Sequence, residues 1–300
     1  MKQWICIALL TAAFTARAND SDPVLKDNPV DLLEAWFAID KRYPTDVTRR
    51  FLHDDAWGPV YHVEFLADDD AAVTGTLAMP ADSVESAPLA LAIHPMGMDI
   101  SVWQSSENPI AAGRLADYMR DSGYAVLALD ARLHGARQVE NIGPREIIGF
   151  ARGDNPVPYT QMIIDSVRDY RLALRWAQGE PHLQAQKILV VGYSMGAQMA
   201  LLLASADPSV SAVLAMVPPY VSRPASPAAP RNHVIRIDRA RVLMMAARND
   251  PYSTPEQNRQ VFDTIATTSK QLLWFDSEHV LPLDYLQHAL GFIASTQVDR

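Results

Sequence analysis

From Leu89 onward, short unbroken apolar runs alternate with longer amphipathic stretches. The apolar runs fall at 89–93, 125–129, 188–191, 212–217, 242–246 and 271–275. Runs of this length with no polar alternation suit strands covered on both faces, as in a parallel sheet. The stretches between them carry apolar residues at helical spacing and predict helices at about 109–121, 159–178, 195–205, 255–267 and 282–294. Strand–helix alternation implies a parallel sheet with right-handed crossovers and helices on both faces. Before it, 60–66 and 72–79 read as two strands joined by a polar turn at Asp68, Asp69 and Asp70. Still earlier, Leu32, Leu33, Trp36, Phe37 and Ile39 recur at helical spacing and predict a helix over 30–43. The count comes to about eight strands.

Two stretches break the alternation, 131–158 and the proline-rich 218–238. Both are too short for independent lid domains. Each follows a strand, so each is expected to cap part of a cleft above the carboxyl ends of the strands, where open α/β sheets bind ligands.

The extreme N-terminus has a different pattern. Lys2 precedes an apolar run from Trp4 to Phe14, and Ala16-Arg17-Ala18 fits the small-x-small rule for signal-peptidase cleavage. The run is shorter than the ~20 apolar residues that span a bilayer, and no second run follows. The expectation is a signal peptide at 1–18, no membrane anchor, and a periplasmic or secreted protein. Residues 19–300 then form one domain, since 300 residues with 49% hydrophobic content suit one large core. Cleavage would remove Cys6, the only cysteine, and with it any cysteine nucleophile or thiolate metal site. It would also take Lys2 and Arg17 and no acidic residue, lowering the formal net charge from −9 to −11. That balance argues against nucleic acid as a partner.

The chemistry centres on Gly192-Tyr193-Ser194-Met195-Gly196, a G-x-S-x-G match. It follows the apolar strand ending at Val191 and opens a helical run, the context that gives the motif meaning. The serine is expected on a sharp strained turn, with the glycines allowing strand and helix to approach closely. A serine hydroxyl needs an adjacent base, and in this arrangement the order is serine, acid, histidine. His279 lies in a loop just past the strand at 271–275 and before the next helix. His288 falls inside that helix, and His233 precedes the acid's strand. Asp250 follows the strand at 242–246, whereas Asp238 lies at that strand's wrong end and Asp263 in a helix. Asp276 and Glu278 are too near His279 in sequence to orient its ring. Ser194, Asp250 and His279 are therefore the candidate triad.

From about Ala72 to the C-terminus the chain resembles α/β hydrolases of the single-domain esterase and dienelactone-hydrolase kind. The resemblance rests on 73–80, His94 to Asp99, the Asp130-x-Arg132-x-His134-Gly135 segment, Gly192 to Gly196, Asp250 and His279. It implies the α/β-hydrolase fold, a Ser-Asp-His triad and no cofactor or metal. Dienelactone hydrolases proper use a cysteine nucleophile where this chain has serine, so the likeness concerns fold and ester chemistry, not that substrate. The implied oxyanion hole uses the N–H of Met195 and one from the loop His94-Pro95-Met96-Gly97-Met98. Proline stands where the family has glycine and has no N–H to give, which leaves Met96, with Gly97 second. Asp130, Arg132, His134 and His94 are expected to brace loops by hydrogen bonds. Met98, Trp103 and Tyr220 are candidate lining residues for the substrate.

The expected activity is hydrolysis of a small-molecule carboxylic ester through an acyl-enzyme on Ser194. Thioester or lactone hydrolysis, or a non-catalytic binding protein that kept the fold, are the alternatives.

Overall fold

The computed structural model describes residues 35–39, 43–44, 46–81 and 86–297. The expected leader at 1–18 and most of the helix expected at 30–43 lie outside the described residues.

Among the described residues nine strands form one sheet: β1 Thr48–Asp55, β2 Gly58–Leu66, β3 Ala72–Ala78, β4 Ala87–Ile93, β5 Ala125–Leu129, β6 Leu183–Tyr193, β7 Val210–Met216, β8 Arg241–Ala247 and β9 Lys270–Phe275. Their order is β1-β2-β3-β5-β4-β6-β7-β8-β9. The pairs β1–β2, β2–β3 and β3–β5 are antiparallel, and the six strands from β4 to β9 are mutually parallel. This is the α/β-hydrolase fold. The helices are α1 Ala112–Asp121, α2 Pro144–Arg152, α3 Val157–Gly179, α4 Met195–Ala206, α5 Pro255–Thr264 and α6 Tyr285–Gln297.

The central strands show why their sequence is apolar throughout. Along β4 every residue is buried, with Leu89, Leu91 and Ile93 in one core cluster and Ala90 and Ala92 in the other. The first cluster takes side chains from α2, α3, α4 and α5, the second from α1 and α6. Two layers of helices therefore bury both sheet faces, and leucine faces the more heavily covered side.

The structure adds two elements that the pattern did not predict. β1 reads TRRFLHDD and is exposed at every position, so no face of it is apolar. It is an edge strand held by its ladder to β2 and irregular between Phe51 and His53, and its charges suit an unpaired outer edge. α2 falls within the expected cap segment 131–158. Pro144 stands in its first turn, where a missing N–H costs nothing, and Glu146 accepts the Gly143 N–H at 2.9 Å. The other expected cap, 218–238, contains two short 3-10 turns, Pro230–Asn232 and Val234–Arg236. Among the described residues no helix is long and apolar enough to cross a membrane.

Candidate active site

β4, β6, β8 and β9 end on the same edge of the sheet, and the loops that follow them carry the residues singled out in the sequence. Ser194 follows β6 directly. It holds φ 55° and ψ −119° and is the residue before α4. A residue with a side chain occupies such a conformation only when its surroundings enforce it, and here they do. The Ser194 N–H donates to the Met216 carbonyl of β7 at 2.8 Å. A Cβ on Gly192 would fall on the Gly196 carbonyl, and one on Gly196 would fall on the Ile93 carbonyl. The strand thus turns tightly into the helix, and the helix start lies against the end of β4.

Past β8 and β9 the two loops run side by side: the Arg248 N–H donates to the Phe275 carbonyl at 2.9 Å and the Asn249 N–H to the Ser277 carbonyl at 3.0 Å. This extension of strand pairing brings Asp250 beside His279. His279 Nδ1 lies 2.8 Å from Asp250 Oδ2, and His279 Nε2 lies 2.7 Å from Ser194 Oγ. The Asp250 carboxylate is fully buried, and its other oxygen accepts the Tyr252 N–H at 2.8 Å. Two fixed acceptor contacts hold the carboxylate so that it takes an Nδ1 proton, which leaves Nε2 as the acceptor facing the serine hydroxyl. The three residues therefore form a continuous chain from carboxylate to hydroxyl.

The rival residues are engaged elsewhere. Asp276 pairs with Arg248 on the surface at 2.9 Å, and Asp238 lies 3.9 Å from Arg239. His233 is buried, donates to the Pro227 carbonyl at 2.8 Å and meets Phe37 edge-on. His288 packs edge-on against Phe275 from α6.

The loop after β4 is braced from below. His94 is fully buried. Its Nδ1–H donates to the Pro95 carbonyl at 2.8 Å and its Nε2 accepts the Ala131 N–H at 3.0 Å, so the ring is neutral. Burial pushes its pKa down from 6.5 to about 4. In a trans peptide the N–H points away from the carbonyl, so fixing the Pro95 carbonyl also fixes the direction of the Met96 N–H. Met195 is the first residue of α4, where N–H groups have no partner within the helix.

The segment after β5 ties these loops together. Asp130 accepts N–H groups from Ile100 at 3.1 Å and Ala136 at 2.9 Å, and burial raises its pKa. Arg132 binds Asp169 of α3 through Nε and Nη2, at 2.7 and 2.9 Å, and Asp69 through Nη1 and the shared Nη2, at 2.6 and 2.9 Å. His134 donates to the Arg132 carbonyl and is pushed down to about 4 by burial and by His94.

The three expected lining residues divide between the two core clusters. Met98 and Trp103 pack with the cluster on one face of the sheet. Tyr220 packs on the cluster of the other face, and its hydroxyl contacts Gln260 and Arg231. Two aromatic residues that the sequence reading passed over touch His279 instead. The Tyr252 ring meets the His279 ring edge-on at 4.5 Å. The Tyr193 hydroxyl donates to the His279 carbonyl at 2.9 Å. A signal was present in both cases: each tyrosine neighbours a triad member in sequence, and a tyrosine placed there needs a partner for its hydroxyl or ring.

A model described as the alpha/beta hydrolase family matches residues 90–289. No curated protein matches the chain at the level of sequence. Among solved structures the chain resembles acetyl xylan esterase 1 from Thermoanaerobacterium sp. JW/SL YS485, with TM-score 0.71 and 16% identity over 92% of this chain and 95% of that one. It also resembles an acetyl xylan esterase from Paenibacillus sp. R4, with TM-score 0.70 and 19% identity over 89% and 92%. A glucuronoyl esterase from Solibacter usitatus superposes with TM-score 0.61 and 11% identity over 90% and 92%.

Proposed function

Because the chain belongs to the alpha/beta hydrolase family, we propose that it hydrolyses carboxylic esters of small molecules through an acyl-enzyme on Ser194. The observation that carries this reading is the unbroken hydrogen-bonded line from Asp250 through His279 to Ser194 Oγ, with 2.8 and 2.7 Å steps, on a strained elbow that exposes the hydroxyl at the sheet edge.

In the proposed reaction His279 Nε2 takes the serine proton as Ser194 Oγ attacks the ester carbonyl. The Met195 N–H, with that of Met96, receives the charge that develops on the carbonyl oxygen. The imidazolium, steadied by Asp250, returns its proton to the departing alkoxide. Water then attacks the acyl-enzyme by the same route in reverse, releasing the acid and freeing Ser194. No step requires a cofactor. The acetyl esterase names among the structural neighbours support beginning with short acyl chains.

The test is labelling of the protein with a fluorophosphonate probe together with hydrolysis of p-nitrophenyl esters of rising chain length. Ser194→Ala should lose both, with an activity loss of about 10⁴-fold or more, while melting as the wild type does. Activity retained within about tenfold would remove Ser194 from the mechanism.

The site of action we propose is outside the cytoplasm. Lys2, the apolar run from Trp4 to Phe14 and Ala16-Arg17-Ala18 support it. Mass spectrometry of the exported protein should give Asn19 as the first residue, and a functional cytoplasmic form beginning at Met1 would contradict it.

A further inference from the structure

Catalysis by the proposed triad requires that the base stay registered on the nucleophile, although the two lie 85 residues apart in the chain. The loop carrying His279 is short of regular structure: β9 ends at Phe275 and α6 begins at Tyr285. Val280 within it is 40% exposed. Leu281 packs into the core two residues past the base, and a polar contact is what reaches the His279 backbone itself.

Tyr193, the residue immediately before Ser194, reaches across to that loop. Its hydroxyl donates to the His279 carbonyl at 2.9 Å and accepts the Leu281 N–H at 2.9 Å. The two contacts lie on either side of Val280, so a single oxygen clamps the backbone both at the base and two residues beyond it. The ring is 2% exposed and meets the Tyr285 ring edge-on at 6.4 Å. Tyr285 in turn donates to the Ile110 carbonyl. Burial pushes the Tyr193 hydroxyl well above its ordinary value, so it stays protonated and can donate at any working pH.

We infer that Tyr193 is a positioning residue for the base: nucleophile and clamp are consecutive residues of one rigid strand end, and the hydroxyl transmits that fixed position to the backbone of His279. This rests on the serine-hydrolase reading above. Without the clamp, His279 would keep its bond to Asp250 but would sample positions off line with Ser194 Oγ. The loss would fall on the chemical step and not on substrate binding.

The experiment is Tyr193→Phe, which keeps the ring and removes only the oxygen. With a short-chain p-nitrophenyl ester, kcat should fall about 10- to 100-fold while KM stays within about threefold. The rate of fluorophosphonate labelling should fall in step. Tyr285→Phe is the control. It deletes a buried tyrosine hydrogen bond from the adjoining ring and touches neither the base nor its loop carbonyl. It should lower the melting temperature comparably and leave kcat at the wild-type value. A Tyr193→Phe enzyme within about twofold of wild-type kcat overturns the inference. Equal kcat losses in the two variants also overturn it, because general loosening would then suffice. If Tyr193→Phe does not fold, 4-aminophenylalanine at position 193 decides, since its amine can still donate to the His279 carbonyl. Near-wild-type kcat in that protein supports the clamp, and a native-melting protein with a tenfold or greater loss refutes it. A wild type that resists the probe and matches Ser194→Ala in activity sinks the serine-hydrolase reading itself. A wild type that is labelled, beside an unimpaired Tyr193→Phe, sinks only the clamp.

Discussion

Asp250 shows how one carboxylate is given one task. Its side chain has no exposed surface, and one oxygen is already committed to the Tyr252 N–H while the other faces His279 Nδ1. Asp276, nearer to His279 in sequence, instead pairs on the surface with Arg248, where such pairs contribute little. Asp250→Asn keeps the shape and the Tyr252 contact but presents either an amide N–H or a weaker, uncharged acceptor to Nδ1. The imidazole then loses both its tautomer and the charge that stabilises imidazolium, and kcat should fall by roughly 10³–10⁴ with little change in KM. Steady-state kinetics of this variant beside Asp276→Asn checks the assignment. A crippled Asp276→Asn with a healthy Asp250→Asn would place the acid elsewhere. A second strained residue accompanies Ser194: Val217, at the end of β7, is buried with φ 46° and donates to the Met245 carbonyl at 2.8 Å. A β-branched residue rarely takes positive φ, and its adjacency to Met216, which accepts the Ser194 N–H, places two enforced backbone conformations at one sheet edge.

At the scale of elements, the loop after β4 carries the sharpest prediction. The buried, neutral His94 holds the Pro95 carbonyl and thereby aims the Met96 N–H. Met96→Ala keeps that N–H and should leave kcat near wild type. Met96→Pro removes it and should cost about 10²–10³ in kcat, or roughly 3–4 kcal/mol. Both variants must show wild-type melting. Gly97 cannot serve as a proline control, because it sits at φ +77°, which the pyrrolidine ring cannot reach. Comparable kcat for the two Met96 variants would move the second donor away from this peptide. The same loop shows what the sequence could and could not reveal. The parallel strands were legible because burial on both faces leaves them uniformly apolar, as in the seven residues of β4. The positions of Ser194, Asp250 and His279 past strand ends were legible because each follows such a strand. β1 was not, since it leaves every residue exposed and has no apolar face for a pattern to reveal. The first part of β6 was missed for a related reason: Gln184, Gln186 and Lys187 are exposed, so only its inner half reads as a strand. α2 hid behind a proline and glycines that resemble a loop. Tyr193 as a clamp depends on which loops meet in space, and that follows from strand order, which the pattern of a single strand does not carry.

Over the whole molecule, the buried histidines tie folding to pH. His94 and His134 lie side by side, with ring centroids 5.2 Å apart, and His233 lies on a separate segment; each has its pKa pushed from 6.5 down to about 4, first by burial. The unfolded chain therefore binds these protons near pH 6.5, whereas the folded protein resists them until about pH 4. Between those values the unfolded state holds more protons, so stability rises with pH. The neutral-ring contribution is fully present above pH 6.5 and is lost progressively as pH falls towards 4. Each group contributes a slope of about 1.4 kcal/mol per pH unit at most, and on the order of 3 kcal/mol across the window. Carboxyls modify only the lower end. Asp130, raised by burial, opposes the trend near and above its ordinary 3.8, whereas Asp69, lowered first by its Arg132 hydrogen bond, adds to the loss near and below it. Urea unfolding at a series of pH values should thus show a plateau above about 7 and a steep decline from about 6.5 to 4.5. His233 lies away from the triad and donates only to the Pro227 carbonyl among its hydrogen bonds given above, so His233→Gln can keep a donor there while removing one titrating ring. That variant should decline with a slope smaller by close to one proton and should be relatively favoured at pH 5 compared with pH 8. An unfolding free energy that stayed level between pH 6.5 and 4.5, or a His233→Gln protein with an unchanged slope, would mean that these rings take up protons inside the folded protein as readily as outside it.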